Sequence, residues 1–190
     1  DVFLGDGRFT SPRTLEVGGT TLRFAKALIA TGARAAVPPV PGLAEAGYLS
    51  NEDVFDLEQL PARLLVLGGG PLGCELAQAF QRMGSQVTLV EMEERFLPRE
   101  DPDAAGLLRE QLERDGLDLR LGTRLVKVEK PPAESGTATL AQANSETRIA
   151  FDAILVATGR TPHVEHLGLE AAGAVSYTHL RAPAPLRYRV

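Results

Sequence analysis

The residues with the clearest capacity for chemistry lie in RLLVLGGGPLGCELAQAF, residues 63–80. Gly68, Gly70 and Gly73 form G-x-G-x-x-G between an apolar run and a helical one. Each glycine has a mechanical reason to be there. Gly68 permits a tight turn off the strand, Gly70 lets a pyrophosphate approach the backbone, and Gly73 lets the helix pack closely on the strand. The free N–H groups and positive dipole end of that helix then face the phosphates. Glu91 closes the next apolar run, QVTLVE, eighteen residues after Gly73. A carboxylate there accepts from both hydroxyls of an adenosine ribose and repels a 2′-phosphate by ~1 to 4 kcal/mol at contact distance. Strand, glycine turn, helix, strand and acid together predict a dinucleotide site that prefers NAD(H) to NADP(H), although Arg95 stands near enough to offset part of that preference.

Cys74 follows the last motif glycine. A helix N-terminus lowers a thiol pKa, but no base, metal ligand or second thiol accompanies it, so a small packed cysteine is expected. A single cysteine also excludes an internal disulfide and a zinc cluster. His163 and His166 fall in a loop and His179 in the tail, without metal-ligand spacing. The formal charge of −5 argues against nucleic acid and anionic membrane as partners and favours small molecules. No apolar run is long enough to span a bilayer, and a cytoplasmic setting is the expectation.

The elements that must hold these residues are legible in the patterning. Residues 1–33 alternate short β-type runs with the turn signals GDG, SP and VGG, which predicts an antiparallel meander ending in a strand at Ala27–Ala30. The run VPPVPG, residues 37–42, admits neither helix nor strand interior and reads as a crossover between domains. Ser50 and Asp53 have capping-box spacing for a short helix ending before Pro61. LLVLG (64–68) reads as a buried strand; residues 71–83 read as a helix with Leu72, Leu76, Ala79 and Phe80 on one face and Gly84 as its stop. Asp101 and Pro102 form an N-cap and N1 pair for a second helix through Leu107, Leu108 and Leu112 to Gly116. The runs GLDLRLG, RLVKVEK, TATLAQA and TRIAF predict a further meander, and AILVATG (153–159) a last buried strand. The fold class is therefore α/β, a parallel sheet with βαβ crossovers plus a β-meander.

Taken in order, IATGARAAVPPVPGL, GGGPLGCELAQAF with VTLVE, LPREDPD and VATGRTPHVEHLGLE resemble the flavin-dependent pyridine nucleotide-disulfide oxidoreductases, and within them the mercuric reductase-like and dihydrolipoamide dehydrogenase-like members. The resemblance covers about residues 1–175. It implies a Rossmann-like FAD/NAD(P)-binding fold in which an FAD domain is interrupted by an NAD(P) domain. Residues 1–40 would end the first FAD segment, 41–150 would be the NAD(P) domain, and 151–175 would return to the FAD domain. Position by position, it implies that Gly7 and the turn Thr31, Gly32 and Ala33 contact FAD. Gly68 through Glu75 would form the NAD phosphate and nicotinamide edge, with Glu75 near the carboxamide. Glu91 would hold the adenosine ribose, Leu125 would line the adenine site, Gly159 would approach the nicotinamide, and Arg160 would stand where the cofactor domains join.

The departures from the family pattern are equally specific. The redox pair C-x4-C, the first FAD glycine motif and the Gly-Asp pair for the flavin chain are not in these 190 residues, and neither is a dimer domain with its catalytic histidine. No catalytic residue is therefore assigned, and homodimerisation is expected of a full-length protein only. The chain itself reads as an internal fragment. Pro71 stands where many members carry a gating tyrosine, and His163 where ATGR-x-P is usually followed by Asn. The run SYTHLRAPAPLRYRV, residues 176–190, has no acid and three arginines, unlike the acidic turn of the family; a non-native extension is expected there, a basic tail being the alternative. The function expected is NAD(H) binding for hydride transfer to flavin. The rivals are a non-catalytic NAD-sensing module and an NADH oxidase or ferredoxin reductase-like flavoprotein without a cysteine pair.

Overall fold

The computed structural model describes residues 1–131, 135–176, 180 and 181; most of the basic tail, residues 177–179 and 182–190, lies outside the described residues. Two compact units divide the chain, one formed by residues 1–34 with 162–190 and the other by 35–161.

In the first unit β1 (Gly7–Ser11), β2 (Thr14–Val17) and β3 (Thr20–Arg23) make the antiparallel meander. Gly18 and Gly19 connect β2 to β3 with φ of 54° and 80°, the doubly left-handed turn that matches strand twist. Phe9 and Val17 are buried, and Phe9 meets Phe24 edge to face at 5.7 Å. The strand expected at Ala27–Ala30 does not form, and Leu28 is 92% exposed. A strand exists only through its ladder partners, and an apolar run cannot supply them alone. The short strands β4 (Ala33–Ala35) and β12 (Arg160–Pro162) contain the two points where the chain passes between units.

The second unit is built on a parallel sheet. Its strands are β5 (Arg63–Leu67), β6 (Gln86–Val90), β7 (Asp118–Arg120) and β11 (Ala153–Val156), in the order β11-β5-β6-β7. β7 corrects the sequence reading, which gave GLDLRLG to the meander: it pairs parallel to β6 instead. A three-residue strand has too little pattern to declare its partner; the returning helix before it brings it alongside β6. The meander consists of β8 (Thr123–Glu129), β9 (Gly136–Gln142) and β10 (Ser145–Phe151).

Period-2 alternation explains why β5 is apolar from Leu64 to Leu67, both of its faces being buried. Leu64 and Val66 face one core with Cys74, Ala77 and Phe80, while Leu65 and Leu67 face another with Val128, Leu140 and Phe151. The sheet is thus packed between helices on one side and the meander on the other. Each such leucine or valine contributes ~1.5 to 3 kcal/mol on burial.

The helices that cover the first face are α2 (Pro71–Met83) and α3 (Pro102–Arg114); a single turn, α1 (Leu43–Ala46), precedes them. Asp101 caps α3, its Oδ1 accepting from the N–H groups of Asp103 and Ala104 at 2.9 and 3.2 Å. Gly84 ends α2 at φ 113°. The face expected of α2 is half right: Phe80 is buried and Leu76 packs against the same core, but Gly73, Cys74 and Ala77 are buried in place of Leu72 and Ala79. On α3 the buried residues are Ala105 and Leu112, with Leu108 packed against the core and Leu107 70% exposed. The reason is close approach: the first turn of α2 lies against the sheet where only small residues fit, so size outweighs hydrophobicity in choosing its face.

The Ser50–Asp53 box is real, with Ser50 N–H and Oγ–H donating to Asp53 Oδ2 at 3.1 and 2.6 Å, but it opens only a 3-10 turn, Val54–Asp56. The start of β5 is clamped to β11 by Arg63, whose Nη2 and Nε donate to the two oxygens of Asp152 at 2.7 and 3.1 Å. The hydrogen bonds from that guanidinium first, against the cost of burial, then those from Ser135 Oγ and Arg63 N–H, and last the guanidinium's charge, hold the Asp152 carboxyl down at about 2.

Candidate functional site

The carboxyl ends of the parallel strands converge on the glycine turn. Gly68 follows β5 at φ 103°, and a Cβ there would stand 2.5 Å from the Ala157 carbonyl oxygen. Only glycine fits, for reasons of both dihedral and space. Gly73 is tighter still, since its Cβ would fall 1.9 Å from the Gly68 carbonyl oxygen. This is the close helix-to-turn packing expected of the third motif glycine. Gly70, at the N-cap of α2, is the opposite case: nothing lies within 4 Å of its absent Cβ, and no side chain caps the helix. The turn is therefore shaped on its inner side by protein and left open on its outer side, with helix N–H groups facing the opening.

Glu91 is fastened to that turn. Its Oε2 accepts from Gly69 N–H at 2.7 Å and its Oε1 from Glu93 N–H at 2.9 Å. Each carboxylate oxygen has a second lone pair, so two fixed backbone donors orient the group and leave capacity for two hydroxyls. Gly69 also lies close to this side chain: a Cβ on it would stand 3.1 Å from Glu91 Cβ, so a larger residue would require Glu91 to shift by a few tenths of an ångström.

A cleft of about 330 Å³ runs over this edge. Gly68, Gly70 and Glu91 form one part of its wall; Gly159 and Arg160, in the connection from β11 to β12, form another. Glu75 is exposed on α2 and is not part of the wall. Leu125, on β8, packs against the core that contains Val90, the residue before Glu91. Gly159 has φ 120° and its carbonyl accepts from Ala36 N–H at 2.9 Å; the hydroxyl of Thr158 donates to the Ala36 carbonyl. Those bonds fix the far wall. Asn51 and Thr158 also line the cleft and were missed in the sequence, where Asn51 carried no signal beyond its place in SNED; Pro71, noted there at the position of a gating tyrosine, lines it too.

In the other unit Gly7 opens β1 and lines a separate polar cleft of about 620 Å³. Thr31 and Gly32 are held by residue 163: Thr31 Oγ1 donates to the His163 carbonyl at 2.6 Å, and His163 N–H donates to the Gly32 carbonyl at 3.0 Å. Both bonds use the backbone of His163, so the exchange of Asn for His leaves them intact. Ala33 begins β4.

Cys74 is 3% exposed, and its Sγ lies 3.4 Å from the Gly69 carbonyl oxygen as a thiol donor. Burial first, then the charges of Glu91 and Glu75, push the thiol up to about 11. The thiol therefore supports the glycine turn and is not a nucleophile. In the folded protein at pH 8 its alkylation by iodoacetamide should be about a hundredfold slower than in guanidinium chloride, from the thiolate fraction alone; equal rates would contradict this placement.

A parallel sheet with βαβ crossovers, a glycine turn open at a helix N-terminus and an acid at the next strand end define a Rossmann-type dinucleotide-binding domain. Comparison with known proteins agrees and is more specific. The family model for pyridine nucleotide-disulphide oxidoreductases matches residues 1–179. The dihydrolipoyl dehydrogenase of Thermus scotoductus is 43% identical over 183 residues, 91% of this chain and 38% of the relative. The mercuric reductase of Staphylococcus aureus is 38% identical over 91% of this chain and 31% of its own length. Among solved structures, the Cu(II) complex of the HOCl-induced flavoprotein disulfide reductase RclA from Escherichia coli superposes with a TM-score of 0.81 at 31% identity, over 96% of this chain and 44% of that one. The chain belongs to the pyridine nucleotide-disulphide oxidoreductase family, and it spans less than half the length of these relatives.

Proposed function

We propose that residues 35–161 bind NAD(H), in preference to NADP(H), as the nucleotide-binding part of an FAD-dependent oxidoreductase of this family, presenting the nicotinamide for hydride transfer to flavin. The observation that carries the reading is Glu91, held at 2.7 Å by the N–H of Gly69 inside the glycine turn. From there it accepts from the adenosine ribose hydroxyls and repels a 2′-phosphate. Gly70 admits the pyrophosphate to the N-terminus of α2, Leu125 borders the adenine, and Gly159, Arg160 and Glu75 serve the nicotinamide end. Gly7 and the Thr31–Ala33 turn serve FAD, whose isoalloxazine when bound supplies the hydride acceptor. The partition into an FAD domain interrupted by an NAD(P) domain is part of the same proposal, with the boundaries expected at 40/41 and 150/151 moved to those of the compact units, so that 1–34 and 162–175 go to FAD and 35–161 to NAD(P). It is supported by the first compact unit, which takes in both ends of the chain. The disulfide half-reaction, homodimerisation and a cytoplasmic setting belong to the full-length protein in this reading; among the described residues no helix is long and apolar enough to cross a membrane.

The test is a fluorescence titration of the 190-residue chain with NADH and with NADPH. NADH should bind about tenfold or more tightly than NADPH, the direct effect of one carboxylate opposite a 2′-phosphate. Equal affinities would overturn the NAD preference, and no binding of either would overturn the site.

A further inference from the structure

The parallel sheet has an extra edge. Leu49 bridges Leu155 in the parallel sense, with Leu49 N–H donating to the Ile154 carbonyl at 2.7 Å and Val156 N–H donating to the Leu49 carbonyl at 2.8 Å. Two residues on, Asn51 begins the turn that follows this bridge and shares the cleft wall with Ala157. The ladder registers set out a row from Ala157: Val156 is opposite Leu67 and Leu67 opposite Val90, so Ala157, Gly68 and Glu91 follow side by side at the carboxyl edge. The segment of Leu49 lies three strand spacings, about 14 Å, from β6, so the cleft wall has Asn51 on the side of that segment and Glu91 on the side of β6.

β5 is where the connections part. Its helix leads to β6 on one side while β11 lies on the other, which makes the edge beside β5 the topological switch point where ligands settle in open α/β sheets. Asn51 is half-buried in the wall of the cleft found there, and the Ser50–Asp53 bonds fix its backbone. Among the described residues no hydrogen bond engages its carboxamide, which offers both a donor and an acceptor.

We propose that Asn51 is a positioning residue for the nicotinamide-ribose half of the dinucleotide, hydrogen-bonding its hydroxyls or carboxamide. The inference rests on the NAD(H) reading above. With one ribose at Glu91 and the pyrophosphate at the N-terminus of α2, an extended dinucleotide along the row brings its other half past β11 to Asn51. A residue at that end discriminates between the two halves of the ligand, which a residue at the glycine turn cannot.

The experiment compares wild type with Asn51→Ala and Asn51→Leu, titrating NADH, and 5′-ADP as a probe of the adenosine half, with thermal unfolding as the check on folding. Both variants should bind NADH about three- to tenfold more weakly, the loss of one or two neutral hydrogen bonds, and bind ADP as wild type does. NADH affinity unchanged in both variants overturns the proposal, as does an equal loss for NADH and ADP. Wild type that binds neither nucleotide overturns the NAD(H) reading itself, a result distinct from either.

Discussion

Replacing Glu91 with arginine is expected to weaken NADH binding by about ten- to a hundredfold and to raise affinity for NADPH relative to NADH. Two effects act together. The substitution removes an ionised acceptor for ribose hydroxyls, and hydrogen bonds to charged groups contribute ~1.5 to 3 kcal/mol each. It also places a guanidinium where a 2′-phosphate would lie, in the planar geometry that recognises phosphate. Arginine further strands the N–H of Gly69, which donates to Glu91 at 2.7 Å, so part of the loss is a loosened turn. Glu91→Gln separates these contributions: its carbonyl oxygen can still accept from Gly69, while the charge is gone. The glutamine variant should lose discrimination against NADPH with a smaller loss of NADH affinity. Titrations of Glu91→Arg that match wild type would remove the ribose role.

The second large effect is structural. Gly73→Ala forces a Cβ to within 1.9 Å of the Gly68 carbonyl oxygen, and both atoms belong to backbone that cannot rotate away. Overpacking of side chains costs ~1 to 3 kcal/mol, and a backbone clash sits at or above the top of that range. Relief requires α2 to lift from the sheet, which takes Cys74, Ala77 and Phe80 out of the core they share with Leu64 and Val66. A loss of about 3 kcal/mol is a large part of the 5 to 15 kcal/mol that holds a typical domain together, and corresponds to a fall in Tm of about 6 to 12 °C. Gly70→Ala is the counterpart. Its backbone, at φ −73° and ψ 177°, accepts any residue, and no atom lies within 4 Å of the new methyl. Tm should hold while NADH affinity falls, because the methyl projects into the space proposed for the pyrophosphate. If Gly73→Ala melts like wild type, the close packing of α2 on the turn is wrong. If Gly70→Ala binds NADH like wild type, the pyrophosphate is elsewhere.

These glycines show how unevenly the site was written in the sequence. Gly68, Gly70 and Gly73 are one motif on paper but do three different things in space, and only the environments of their missing Cβ atoms tell them apart. The strands β5, β6 and β11 were legible because strands buried on both faces need unbroken apolar runs. The N-cap at Asp101 was legible because capping is local chemistry. Ala27–Ala30 and β7 were misread for the converse reason: each depends on a partner distant in the chain, and a few residues of pattern carry no address. The face of α2 was misread in part: Leu76 and Phe80 pack on the core as expected, but Leu72 and Ala79 were chosen by hydrophobicity and period where close approach demanded Gly73, Cys74 and Ala77.

What the sequence determined by itself was local and periodic: a parallel α/β fold, a glycine turn at a helix N-terminus, an acid at the next strand end, and enough matched motifs to indicate the family. Those features depend on residues near one another in the chain, where dihedral preference and hydrophobic period act directly. What the tertiary structure alone decided was long-range. It set the bond from Gly69 to Glu91, the burial that turns Cys74 into an inert support, and the bridge from Leu49 to Leu155 that brings Asn51 into the wall of the same cleft as Glu91. Gly69 and Glu91 are 22 positions apart and Leu49 and Leu155 farther still, and only the packing of the sheet and its helices fixes which of the many available meetings occurs.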